Sequence, residues 1–369
     1  MNFPQEAILT DTQPAHRRKW RRLRGLGVGV LAVVLFAITM WAALAIYYAD
    51  LSSGASPRLF VTVLYLIATL SAAVFIRPRR WGIAAVLALF LVVLAWFFSL
   101  TPSNQRDWAP EVAQLPSAEI SGDHLTVYNL RNFDYRSESD FTSHWVNREY
   151  DLSQLKGVDL MLVYWGSKAI AHAMVSYNFE DGQCLCISIE TRKEKTESYS
   201  ALQGFFRQYE LYYVVADERD LIRLRTNFRK EDVYLYRTNL TPIQARSTLL
   251  SYLDRVNLLK ANPDFYNALT SNCATNVVGH AQGGGLNSKM SWEILASGYA
   301  ARQAYRNGRL DTSLPFEQLE AKSRINDVAI AAGNGPDFSR LIRAGLPNPV
   351  NVAGRTPETS SPAATRPVP

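Results

Sequence analysis

Cys273, His172 and Glu190 are far apart in the chain but are the residue types that thiol chemistry needs. Cys273 follows Tyr266-Asn267-Ala268-Leu269-Thr270-Ser271-Asn272, where Ser271 or Asn272 can cap a helix running toward His280. The cysteine then falls in the first turn. There the helix dipole and free backbone N–H groups favour a thiolate, predicting a depressed thiol pKa, and the same groups can hold a developing oxyanion. His172 is a single polar side chain in the apolar run Ala169 to Val175, with small neighbours. A cysteine and a distant histidine are the minimum for a nucleophile and its base, with the imidazole expected within hydrogen-bond reach of the sulfur.

A third group must orient the imidazole. The Asp181-Gly182 turn joins two strands. A three-residue loop places Glu190 opposite 172, whereas a two-residue loop places Thr191 there. Each residue also has a plainer reading: a small buried thiol, a satisfied core histidine, and a solvated strand end in Glu190-Thr191-Arg192-Lys193-Glu194-Lys195.

The other two cysteines, Cys184 and Cys186, form C-x-C on one strand and face the same way. A disulfide between them is strained, two ligands do not make a zinc site, and buried thiols are expected. His124, His144 and His280 are scattered. No phosphate-binding glycine loop, G-x-S-x-G or H-E-x-x-H occurs, so neither a metal nor a cofactor is expected.

The elements that position these groups follow from pattern. Strands are expected at 125–130, 158–165, 170–179, 184–190, 211–215 and 232–237. A short helix is expected at 199–208, and a longer one from Pro242 to about Lys260 with Thr241 as N-cap. Residues after Cys273 read as mainly helical, which makes the soluble part α+β.

The N-terminal part is of another kind. Leu26 to Tyr48, Leu59 to Ile76 and Trp81 to Leu100 are apolar runs without Asp, Glu, Lys, Arg or His, each able to span a bilayer. Arg17, Arg18, Lys19, Arg21, Arg22 and Arg24 precede the first, and Arg77, Arg79 and Arg80 separate the second from the third. These clusters predict a cytoplasmic N-terminus and a soluble domain on the far side of an inner membrane. The net charge of +6 is therefore a topology signal rather than a nucleic-acid footprint. The expected plan is a basic N-terminus (1–25), three transmembrane helices (26–100), a linker (101–118), a periplasmic domain (119–346) and a disordered tail (347–369).

Asn132-Phe133-Asp134-Tyr135-Arg136, Tyr164-Trp165-Gly166-Ser167, His172, the run Ile187 to Lys195, Gly204 to Glu210, and Tyr266-Asn267 through Asn272-Cys273 together resemble one family. It is the domain named after the N-terminal periplasmic part of the lipoprotein N-acyltransferase Lnb. Trp292, Ser297-Gly298-Tyr299 and Asp337-Phe338-Ser339 extend the likeness. The family is similar to permuted papain-like and NlpC-type cysteine enzymes, in which a strand histidine precedes an Asn-Cys at a helix start. The resemblance therefore implies a permuted papain-like domain with an antiparallel sheet and a Cys-bearing helix.

The function expected is a membrane-tethered cysteine acyltransferase or hydrolase acting through a thioester on envelope lipids or lipoproteins. A cell-wall peptidase or amidase using the same pair, and a non-catalytic envelope scaffold, stand beside it. Trp165, Asn272, Arg192 and Lys193 are expected to contact substrate. Arg192, Lys193, Arg219, Arg223 and Arg225 can meet anionic headgroups, although solvated surface is the simpler account.

Overall fold

The computed structural model describes residues 13–49, 55–286 and 291–348. The first twelve residues and the tail from 349 onward lie outside it, as does most of the short loop after the first apolar run. The chain forms two compact units: one runs up to Thr101 and includes Phe206–Gln208, the other comprises Pro102–Phe205 and the chain from Tyr209.

The first unit holds α1 (Gln13–Tyr48), α2 (Ala55–Phe75) and α3 (Arg79–Ser99). Leu23–Tyr48, Ala55–Phe75 and Arg79–Ser99 are long and apolar enough to cross a membrane. Twenty-one residues at the helical rise reach about 31 Å, the thickness of a hydrocarbon core. Phe36, Phe60, Leu70, Phe75 and Val92 are exposed outward, while Ala42, Ala45 and Ala72 are buried. Small residues allow close helix contact: a Cβ on Gly82 would lie 2.7 Å from the Ala72 carbonyl oxygen.

The second unit is α+β. Its strands are β1 (Ser117–Ser121), β2 (His124–Arg131), β3 (Asp134–Tyr135), β4 (Phe141–Thr142), β5 (Trp145–Asp151), β6 (Leu155–Tyr164), β7 (Ala171–Phe179), β8 (Cys184–Arg192), β9 (Glu210–Ala216) and β10 (Asp232–Arg237). An eight-stranded sheet runs β1-β2-β9-β8-β7-β6-β10, with β5 added to β2, and β3 pairs with β4 apart from it. The sheet is antiparallel except at one point, Arg131 beside Ala216, where β2 meets β9 in parallel.

One face is covered by α5 (Pro242–Ala261) and α6 (Cys273–Gly283). The other carries α4 (Glu218–Arg223) and the C-terminal helices Asn326–Ala332 and Phe338–Leu341. Strand alternation divides β7 between them. Ala173, Val175 and Tyr177 join the clusters on the α5–α6 face. Met174 joins the cluster on the α4 face, and Ser176 hydrogen-bonds Glu218 there.

Two expectations change. The polar, proline-bearing stretch after Thr101 is no free spacer. Trp108 is buried, its N–H donates to the Asn104 carbonyl, and residue 108 bridges to Glu194. The helix expected at 199–208 shrinks to a single 3-10 turn, Gln203–Phe205. Its backbone turns instead toward the loop before α6, with the Ala268 N–H donating to the Gly204 carbonyl.

Candidate active site

α6 starts at Cys273, and Asn272 is its cap. The Asn272 side-chain oxygen accepts from the Thr275 N–H at 2.9 Å, and Thr275 Oγ1 accepts from the Asn272 N–H at 3.0 Å. Asn272 Nδ2 donates to the Ala268 carbonyl at 2.8 Å. The Asn272 side chain thus ties the helix start to the loop before it.

The backbone N–H groups of Ala173, Ala274 and Cys273 itself favour the anionic form of the Cys273 thiol. Burial nevertheless dominates and pushes its pKa up, with those three N–H groups working against the rise. The depressed pKa expected at a helix start is therefore corrected: desolvation outweighs the dipole, and the thiol is neutral near pH 7. The hydroxyls of Tyr199 and Tyr266 are near enough to feel the sulfur's charge, which adds to burial in raising their own pKa values.

The β7–β8 hairpin has the three-residue loop. Asn178 pairs with Cys184 and Met174 with Ser188, a register that carries Glu190, not Thr191, across from 172. The ladder itself stops at Met174 and Ser188, so β7 and β8 part where His172 and Glu190 stand. Alternation turns His172 toward the α4 face, away from the helix that bears Cys273. The two residues thus reach the end of the ladder from opposite faces. Among the described residues no hydrogen bond joins them, although the Ala173 N–H, next to His172, favours the Cys273 thiolate.

The imidazole is instead held in a polar chain. His172 Nε2 lies 2.7 Å from Ser188 Oγ, which lies 2.8 Å from Glu190 Oε1. The same carboxylate oxygen accepts from Arg225 Nη2 at 2.8 Å and lies 3.9 Å from His172 Nε2. Arg225 is presented by the π turn Leu224–Phe228, an uncommon backbone form that follows α4 directly. Burial opposes ionisation of Glu190, but Arg225, His172 and Arg131 and the Ser188 hydrogen bond outweigh it. They hold the carboxyl well below the usual range. Burial and the Arg225 charge push His172 down to about 3, against the pull of Glu190, so the ring is neutral.

The structure thus gathers His172 and Glu190 on one sheet face and brings Cys273 against their strand end. Trp165 is 47% exposed in the turn before β7. Arg192 is placed otherwise than expected. It is fully buried, lies 4.1 Å over the Trp108 ring and donates to the Val112 and Ala113 carbonyls and to Asn104 Oδ1. It straps residues 104–113 to the sheet from a buried position rather than facing a ligand. Lys193 pairs with Glu111 at 3.5 Å.

The other arginines read as possible headgroup contacts are also engaged. Arg219 pairs with Asp217, Arg223 is buried 3.7 Å from Asp134, and Arg225 holds Glu190. Ser188 and the role of Arg225 escaped sequence reasoning. Their signal was present: Ser188 sits two residues before Glu190 on the same strand face.

Beside the site lies an apolar cavity of about 150 Å³ between β6, β7, α5 and α6. Val158, Val175, Leu240, Val277 and Ile294 line it, and Ala274, next to Cys273, forms part of its wall. Cys184 and Cys186 are buried, and burial pushes both thiols far up.

Residues 141–298 match the family model of the Lnb N-terminal periplasmic domain. No curated protein and no solved structure matches the chain.

Proposed function

From the membership of residues 141–298 in the Lnb N-terminal periplasmic domain family, we propose that this membrane-anchored envelope protein is a cysteine-dependent acyltransferase or hydrolase acting on acyl lipids or lipoproteins. In this reading the domain is permuted papain-like, the three apolar helices are all spans, and the basic clusters lie in the cytoplasm. The soluble domain then faces the periplasm, and tethering raises its local concentration at lipid-linked substrates.

The observation that carries the reading is the placement of Cys273 at the start of α6, packed against the sheet that bears His172. With thiol and imidazole both neutral, the chemistry proposed is general-base catalysis rather than a resting ion pair, and it requires the imidazole to reach the sulfur past the open end of the β7–β8 ladder. His172 takes the thiol proton as sulfur bonds to the ester carbonyl carbon. The ester C–O bond then breaks, and the alcohol leaves with that proton. An amine or water attacks the thioester, gives a proton through His172 back to the sulfur, and releases the product. The N–H groups of Cys273 and Ala274 are available to the carbonyl oxygen as it gains charge.

The apolar cavity beside Ala274 favours an acyl chain over a polar cell-wall peptide. The test is intact mass spectrometry of the full chain in detergent after exposure to p-nitrophenyl dodecanoate and p-nitrophenyl acetate. A dodecanoyl mass on Cys273, lost in Cys273→Ser and favoured over acetyl, is the expected result. No adduct with either ester, with both variants behaving alike, would favour the scaffold.

A further inference from the structure

We propose that Ser188 is a positioning residue that fixes His172 as the Nε2–H tautomer and so makes Nδ1 the basic nitrogen. The geometric part stands alone, and only its catalytic consequence rests on the thiol reading above.

The assignment follows from counting protons along the chain Arg225, Glu190, Ser188, His172. The Ser188 hydroxyl has one proton and two close neighbours, Nε2 at 2.7 Å and Glu190 Oε1 at 2.8 Å. An ionised carboxylate only accepts, and Arg225 holds this one ionised from the other side at 2.8 Å. Were the hydroxyl proton turned to the ring, lone pairs of Oγ and Oε1 would face each other at 2.8 Å inside the protein. The hydroxyl therefore donates to Glu190, and Nε2 must supply the proton it shares with Oγ. The ring is neutral, so Nδ1 then carries the lone pair. Ser188 has no exposed surface.

The bridge also explains why the carboxylate does not touch the imidazole. At 3.9 Å, Glu190 steadies a ring that gains charge at Nδ1, while burial and Arg225 outweigh its pull and keep the ring neutral at rest. When Nδ1 takes a proton, the Nε2–H bond to Oγ becomes charge-assisted and the polarisation passes to Glu190. The charged groups facing the ring are Glu190 from β8 and Arg225 and Arg229 from the π turn and its end.

The test uses full-length protein in detergent micelles with ¹⁵N-labelled histidine, the His172 signals being identified by their loss in His172→Gln. The wild type should show Nε2 bonded to hydrogen and Nδ1 as the bare nitrogen. Ser188→Ala should move His172 to a mixture of tautomers and slow Cys273 alkylation by iodoacetamide about tenfold, the worth of one such hydrogen bond. Ser188→Thr keeps the hydroxyl and should restore both. A wild-type His172 protonated at Nδ1 overturns the proposal, as does an Nε2–H signal unchanged in folded Ser188→Ala. If the tautomer moves as stated but His172→Gln leaves alkylation unaltered, the positioning assignment stands and the thiol reading fails.

Discussion

Glu190→Gln removes a charge while keeping the shape of the side chain, and its cost can be worked from the contacts. Oε1 accepts from Ser188 and from Arg225, both at 2.8 Å, and the glutamine carbonyl can accept both bonds again. What is lost is the compensation of Arg225, whose side chain is 5% exposed and whose next carboxylate, Glu231, is 4.0 Å away. Breaking a buried pair outright costs about 3–5 kcal/mol. With both hydrogen bonds retained, we expect about 2–3 kcal/mol. For a domain of this size that is about 4–12 °C in the thermal midpoint, measured by circular dichroism in detergent.

The pH dependence has a definite sign. The folded Glu190 carboxyl lies below its ordinary value of 4.5, so its contribution is complete above that pH and fades as the pH falls further. The gap between wild type and variant should therefore close on acidification. Equal midpoints at pH 7, or a gap that widens toward acid, would refute the placement of a charged Glu190 against Arg225.

Asn272→Ala removes the α6 cap and should cost about 1 kcal/mol, seen as a lower midpoint in the same melt. Arg192→Met deletes the donors to Val112, Ala113 and Asn104, so limited proteolysis should cut first within 104–113, a stretch the wild type protects. Acidification should destabilise the wild type from about pH 6.5 downward. Burial depresses His172 to about 3 and His280 to about 4, so the unfolded chain takes up protons that the folded chain refuses. Each histidine adds up to about 1.4 kcal/mol per pH unit to that slope, and His172→Gln should remove one share in urea titrations at pH 7, 6 and 5.

The sequence patterns revealed the elements better than their surroundings. Continuous apolar runs and the Thr241-Pro242 start gave β6, β7 and α5, where Thr241 and Gln244 form a full capping box. The Asp-Gly turn left two registers open, and the structure takes the one that puts Glu190 across from 172. The strap at 102–116 was not legible. Its composition is that of a linker, and what orders it is Arg192, a side chain whose charge suggested the surface. Local patterning carries no information about a guanidinium held between a tryptophan ring and two backbone carbonyls from residues some eighty positions earlier.

The candidate site shows the same limit in its electrostatics. Helix position alone argues for a depressed thiol pKa at Cys273, because the dipole and the free N–H groups both favour the anion. The N–H groups of Cys273 and Ala274 do favour the anion, and the N–H of Ala173 adds to them. Burial between α6 and the sheet still outweighs all three donors, as it outweighs Glu190 at His172. Desolvation depends on everything packed around a group, whereas the dipole depends on one turn of helix, and only the second can be read along the chain. For the chemistry proposed above, a thiol and imidazole that are both neutral at rest keep the buried site free of uncompensated charge until a carbonyl arrives to share it. Alkylation of Cys273 should accordingly be slow at pH 7 and accelerate as the pH rises past the ordinary thiol range, whereas a rate already at its plateau at pH 7 would mean that the dipole, not burial, governs the sulfur.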